Sequence, residues 1–190
     1  MMKISRRLLL LLFCSILLVA CGQTKPTGRL VESFSFTDQD GNSFGSDQLN
    51  GQVWIADFIF TKCETVCPPM TFEMAELQKQ FANEGLDVEF VSFTVDPSID
   101  SSDVLKEYIG QYTDDESNWH LLTGYSQDVI KNLALEQFQT IVQKPVNSNQ
   151  VIHGTNFYVI DQNGYVINEF NYVEDSFSEQ IQQEVKGLLK

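Results

Sequence analysis

Apolar and polar positions along the chain change their period several times, and each change predicts an element. Residues 8–20 are almost unbroken apolar sequence and stand apart from the rest. Ser33-Phe34-Ser35-Phe36-Thr37 alternates as a half-buried strand does, and Asp40-Gly41 is a hairpin turn signal before Ser43-Phe44. Val53-Trp54-Ile55-Ala56-Asp57-Phe58-Ile59-Phe60 is apolar on both faces, the pattern of a central parallel strand covered by helices. Met70, Met74, Leu77 and Phe81 recur at spacings of three and four and predict a helix over 70–81, ended by Asn83-Glu84-Gly85. A second buried strand runs over 88–95 and closes at Asp96-Pro97. A helix over 103–112 follows, with Ser102 as its cap. Trp119-His120-Leu121-Leu122 is a short strand and 126–136 another helix. Residues 138–152 lack a period and predict an inserted loop. Residues 156–160 and 165–170 flank Asn163-Gly164 as a hairpin, and a last helix covers 176–189. Strands alternating with helices predict an α/β sheet with helices on both faces.

The first apolar run changes the picture of where this domain works. It follows Lys3, Arg6 and Arg7, is too short to favour a membrane span, and ends in the small residue Ala20, as a signal peptide does. Leu18-Val19-Ala20-Cys21 resembles the bacterial lipoprotein box, in which the cysteine is lipidated and becomes the new N-terminus. An uncleaved anchor is the alternative, and both place the domain outside the cytoplasm. The expected organisation is a lipoprotein signal peptide over 1–20, a lipid-anchored polar tether over 21–29 and one domain over 30–190. Losing residues 1–20 removes three basic residues and no acidic one, taking the net charge from −14 to −17. Such a charge argues against nucleic acid and anionic lipid surfaces as ligands.

Four cysteines are present, and two of them, Cys14 and Cys21, belong to the export segment. Cys63 and Cys67 remain, in Phe60-Thr61-Lys62-Cys63-Glu64-Thr65-Val66-Cys67-Pro68, where a buried strand is due to meet a helix. Two soft sulfurs on such a turn point to redox exchange, metal capture, or both. An inert disulfide is the bland alternative, although a bridge closing so short a loop stabilises little by entropy.

With its cysteines at the end of the first central strand, the chain looks like a thioredoxin fold with an N-terminal hairpin. Three places resemble the Sco/SenC copper-binding family more specifically. Thr61-Lys62-Cys63-Glu64-Thr65-Val66-Cys67-Pro68 resembles its T-x-C-P-x-x-C-P motif, with Glu64 in place of the usual proline. Val95-Asp96-Pro97, Asp100 and residues 104–108 resemble the stretch after the next strand. Ile152-His153-Gly154 before Phe157-Tyr158-Val159-Ile160-Asp161 matches the family's distal histidine. The resemblance implies a metallochaperone held at the bacterial cell membrane through lipidated Cys21. Its copper, Cu(I) or Cu(II), would be bound one per chain by Cys63, Cys67 and His153. The implied partner is subunit II of cytochrome c oxidase, whose dinuclear copper centre it helps assemble; the copper donor stays open.

Residue chemistry supports that donor set. Residues four apart on a first helical turn face the same way, with Cα atoms about 6 Å apart, close enough to chelate or to form a disulfide. A thiolate pair suits Cu(I), and an added imidazole also accommodates Cu(II). A structural zinc would normally take a fourth ligand. Asp96 is a candidate for orienting the site from behind it, or equally a carboxylate that ends a strand. His120 reads as structural, and Trp54, Trp119 and Met70 as core.

Two other function classes use the same thiols. A thiol–disulfide oxidoreductase that reduces the cysteines of the oxidase copper site would make Cys63 and Cys67 the redox-active pair. C-x-x-x-C differs from the usual C-x-x-C, however, and Thr155 stands where thioredoxins carry their cis-proline. A peroxidase of the peroxiredoxin kind is weaker still, because Ala56 and Phe60 occupy the positions of its proline and threonine.

Overall fold

A computed structural model describes residues 28–190; the expected signal peptide, Cys14, Cys21 and nearly all of the expected tether lie outside the described residues. The described chain runs β1 (Arg29–Leu30), β2 (Ser35–Thr37), β3 (Ser43–Gly45), α1 (Ser46–Leu49), β4 (Val53–Ile59), α2 (Cys67–Glu84), β5 (Val88–Thr94) and α3 (Ser102–Ile109). It continues with β6 (Trp119–Leu122), α4 (Gln127–Gln137), β7 (Val142–Gln143), β8 (Ile152–His153), β9 (Asn156–Ile160), β10 (Tyr165–Asn171) and α5 (Phe177–Leu188).

Six strands form the main sheet in the order β1-β10-β9-β4-β5-β6. Every residue of β4 is buried, as its two-faced apolar pattern predicts, and β4 pairs in parallel with β5 from Val53↔Val88 to Ile59↔Thr94. β6 extends the parallel half, while on the other side β9 runs antiparallel to β4 and β10 antiparallel to β9. One face carries α2, α3 and α5. Phe81 of α2 packs on Phe90, the Thr71 and Tyr108 hydroxyls lie 2.7 Å apart between α2 and α3, and Lys186 of α5 pairs with Glu84. The other face is covered by α4 and the β2–β3 hairpin over an aromatic cluster of Phe58, Phe93, Phe138 and Tyr158. This is the expected thioredoxin-like architecture with an N-terminal hairpin. Among the described residues no helix is long and apolar enough to cross a membrane.

Four details depart from the sequence reading. The loop expected over 138–152 contains a small hairpin, with Val142↔His153 and Gln143↔Ile152 paired. Two-residue strands carry no local period, so only their partner reveals them. The helix expected from 70 begins at Cys67, with Pro68 and Pro69 in its first turn, where a missing N–H costs nothing. Ser101, not Ser102, caps α3 by accepting the Val104 N–H; the Ser102 hydroxyl donates to the Asp38 carbonyl instead. Finally, β1 pairs antiparallel with β10 at the sheet edge, and Arg29 donates to the Gln137 carbonyl at the end of α4. Strand directions alternate from β4 through β9 and β10 to β1. The chain therefore enters β1 travelling away from the end of the sheet at which β4 finishes.

Candidate metal centre

β4 ends in the interior at Ile59, and Phe60 to Val66 turn the chain into α2. This turn is held from the next strand. Asp100, fully buried beyond β5, accepts from the Thr61 N–H at 3.2 Å and the Thr61 hydroxyl at 2.6 Å, and from the Thr94 hydroxyl. The turn thus sits rigidly over the ends of two parallel strands. The first turn of α2 has few N–H groups to satisfy, because Pro68 and Pro69 carry none. The Cys67 N–H points to Cys63 Sγ at 3.3 Å, so a sulfur caps the helix where Val66 offers no side chain to do so.

That arrangement separates the two thiols chemically. Cys63 Sγ accepts from Cys67, and its pKa falls well below that of an ordinary thiol. Cys67, fully buried beside that sulfur, is pushed in the opposite direction. Of the two, Cys63 is the sulfur that gives up its proton the more readily. Both cysteines are free thiols.

His153 reaches the cysteines through the sheet topology. β9 runs antiparallel to β4, so the residues leading into it gather at the end where β4 finishes. The His153 Nδ1–H donates to the Gly154 carbonyl at 2.8 Å, which leaves Nε2 unprotonated in the neutral ring and aimed at Cys67 Sγ, 3.3 Å away. The Phe60 ring meets the imidazole edge-on at 5.7 Å. One ligating atom from each of Cys63, Cys67 and His153 lies within 4.8 Å of the other two. Two soft sulfurs and a bare imidazole nitrogen fit a thiophilic transition ion better than magnesium or calcium.

Asp96 stands at the end of β5 and turns to Lys144 at 2.6 Å and to the Ser98 hydroxyl at 2.8 Å. His120 lies elsewhere, stacked on Phe44 at 3.7 Å and paired with Glu89. Trp54, Trp119 and Met70 are core. Sequence reasoning passed over Asp57, which is completely buried on β4 with neither carboxylate oxygen hydrogen-bonded. Its place inside an unbroken apolar run was the available signal.

Residues 22–190 match the family described as SCO1/SenC. This chain belongs to the SCO1/SenC family. Among solved structures of SCO1/SenC proteins, it is similar to a SCO1/SenC family lipoprotein from Bacillus anthracis, 50% identical with a TM-score of 0.84, over 89% of this chain and 100% of the other. It is also similar to BsSco, a member of the Sco family of cytochrome c oxidase assembly proteins in which a disulfide switch has been identified. There the identity is 44% and the TM-score 0.78, over 86% of this chain and 95% of the other. Yeast Sco1 with copper bound is 27% identical with a TM-score of 0.69, over 83% and 89% of the two chains.

Proposed function

We propose that this SCO1/SenC protein is an extracytoplasmic copper metallochaperone that binds one copper ion through Cys63, Cys67 and His153 and assists assembly of the dinuclear copper centre in subunit II of cytochrome c oxidase. The observation that carries the reading is the convergence of two thiols and an imidazole nitrogen within 4.8 Å. The yeast relative with copper bound supports the ion, and BsSco supports the oxidase as destination. Three ligands leave room for an incoming ligand, which suits an ion carried as cargo rather than kept as structure. Lipidation at Cys21 after loss of residues 1–20, with 21–29 as tether and 30–190 as the working domain, fits the likeness to a Bacillus lipoprotein.

The second reading is a thiol–disulfide oxidoreductase acting on the cysteines of the oxidase copper site. What favours it is the unequal thiol pair, in which Cys63 gives up its proton more readily than buried Cys67 and so makes the better nucleophile. His153 separates the two readings, since dithiol exchange has no need of it.

The test is a titration of Cu(II) into the reduced protein lacking residues 1–21, a truncation that keeps every described element. The expected result is an intense thiolate-to-copper absorption band that saturates at one equivalent. It is lost in His153→Ala, while that variant still titrates two thiols. Cys63→Ser and Cys67→Ser each abolish copper binding and disulfide formation. Immediate oxidation to a disulfide with no stable coloured complex moves the assignment to the oxidoreductase.

A further inference from the structure

His153 is carried by a very small hairpin, and something must hold it in place. β7 and β8 share only two residue pairs, and a two-stranded ribbon of that size is marginal alone. The connection between them, residues 144–151, is most exposed at its tip, where Val146 is 99% exposed. Its stem ends are nevertheless fastened, one beyond the end of β5 and the other to the cysteine turn. At one end Lys144 Nζ lies 2.6 Å from the Asp96 carboxylate and 3.1 Å from the Ser98 hydroxyl, beyond the end of β5. Asp96 is almost fully buried, so this pair is shielded from water in a way that most lysine pairs are not. At the other end the Gln150 amide donates to the Lys62 carbonyl at 3.1 Å, on the peptide that leads into Cys63.

We infer that residues 144–150 form a strap from the end of β5 to the cysteine turn, and that Lys144 and Gln150 are positioning residues that hold His153 against Cys63 and Cys67. The inference rests on the copper-site reading above. The two fastenings lie 48 and 88 residues away in sequence from their partners, so neither follows from local loop geometry. They tie the hairpin to the ends of both β4 and β5, the two strands that position the cysteines. Ordering a ligand in advance strengthens binding by removing the entropy otherwise lost when the ion arrives. Asp96 therefore acts on the site at one remove, through Lys144 and the hairpin.

The experiment measures copper affinity by competition with a chelator, in the protein lacking residues 1–21. The variants are Gln150→Ala, Lys144→Ala and Lys144→Arg, each made alone and on a His153→Ala background. Losing one fastening hydrogen bond is expected to weaken copper binding about three- to ten-fold. Two thiols still titrate, and Lys144→Arg recovers most of the loss. On the His153→Ala background the same substitutions change affinity no further, because the histidine they position is gone. Lys144→Ala leaves Asp96 without its cation and can cost folding; Gln150→Ala removes an exposed bond only and decides the matter in that case. Copper affinity unchanged in Gln150→Ala and Lys144→Ala, with His153→Ala clearly weaker than wild type, overturns the strap alone. An equal loss with and without His153 also overturns it, by showing that these residues act on copper some other way. Wild type and His153→Ala binding copper alike overturns both the strap and the three-ligand site.

Discussion

Asp57 carries a carboxyl group into the middle of the sheet, and neither of its oxygens has a hydrogen bond. Burial raises its pKa from 3.8 to about 7, with neighbouring Ser92 and His153 pulling the other way. A carboxyl with a raised pKa holds its proton more tightly in the folded chain than in the unfolded one. Its contribution to stability is fully present below about pH 4 and is lost as the pH rises through about 7. Asp57→Asn removes that dependence. In urea unfolding of the metal-free protein, wild type and variant are expected to be close near pH 4. Above pH 7 the variant is expected to be the more stable by up to about 4 kcal/mol. A constant difference across that range would show that Asp57 is ionised throughout or is hydrogen-bonded in solution. At this scale the sequence was most readable where chemistry is rare: two cysteines and a histidine in recognisable surroundings. Lys144 and Gln150 were not readable, because a lysine and a glutamine in an aperiodic loop carry no sign of the partners that fix them.

Among the elements, the β7–β8 hairpin is sensitive to a single atom added just beyond it. A Cβ on Gly154 would lie 2.0 Å from Thr140 Oγ1, and Thr140 is buried with little room to yield. Gly154→Ala is expected to push His153 away from Cys67 and to weaken copper binding about ten-fold or more, the scale of an overpacking cost of 1–3 kcal/mol. Removing the obstructing hydroxyl in Thr140→Ala/Gly154→Ala should restore most of the affinity. Failure of that rescue would locate the damage in the backbone of residue 154. Long elements with a strong period were legible, β4 and β5 from their two-faced apolar runs and α4 from Ser126 and its spacing. β1, β7 and β8 were not, since two residues hold no pattern and pair only when distant chain arrives. The start of α2 was set late because Pro68 and Pro69 look like a boundary, yet they are well tolerated in a first turn.

For the whole molecule, the proposed loss of residues 1–20 would leave a strongly acidic domain that is not drawn to anionic lipid surfaces, so residence at the membrane would fall to the proposed lipid on Cys21. Cys21→Ser is expected to move the protein from the membrane fraction to the soluble extracytoplasmic fraction on immunoblotting. A variant still wholly in the membrane fraction would mean that residues 8–20 remain as an anchor. The direction in which the chain enters β1 then acquires a mechanical meaning. Fully extended, eight residues such as 21–28 span at most about 25 Å, and β1 begins at the end of the sheet where the cysteine turn lies. With Cys21 lipidated as proposed, the domain would hang on a short leash attached toward its working end. Its search would then be confined to a thin layer above the bilayer, where a short tether raises the effective concentration. Lengthening the leash would dilute the domain against any acceptor in that layer without altering a single contact at the metal centre.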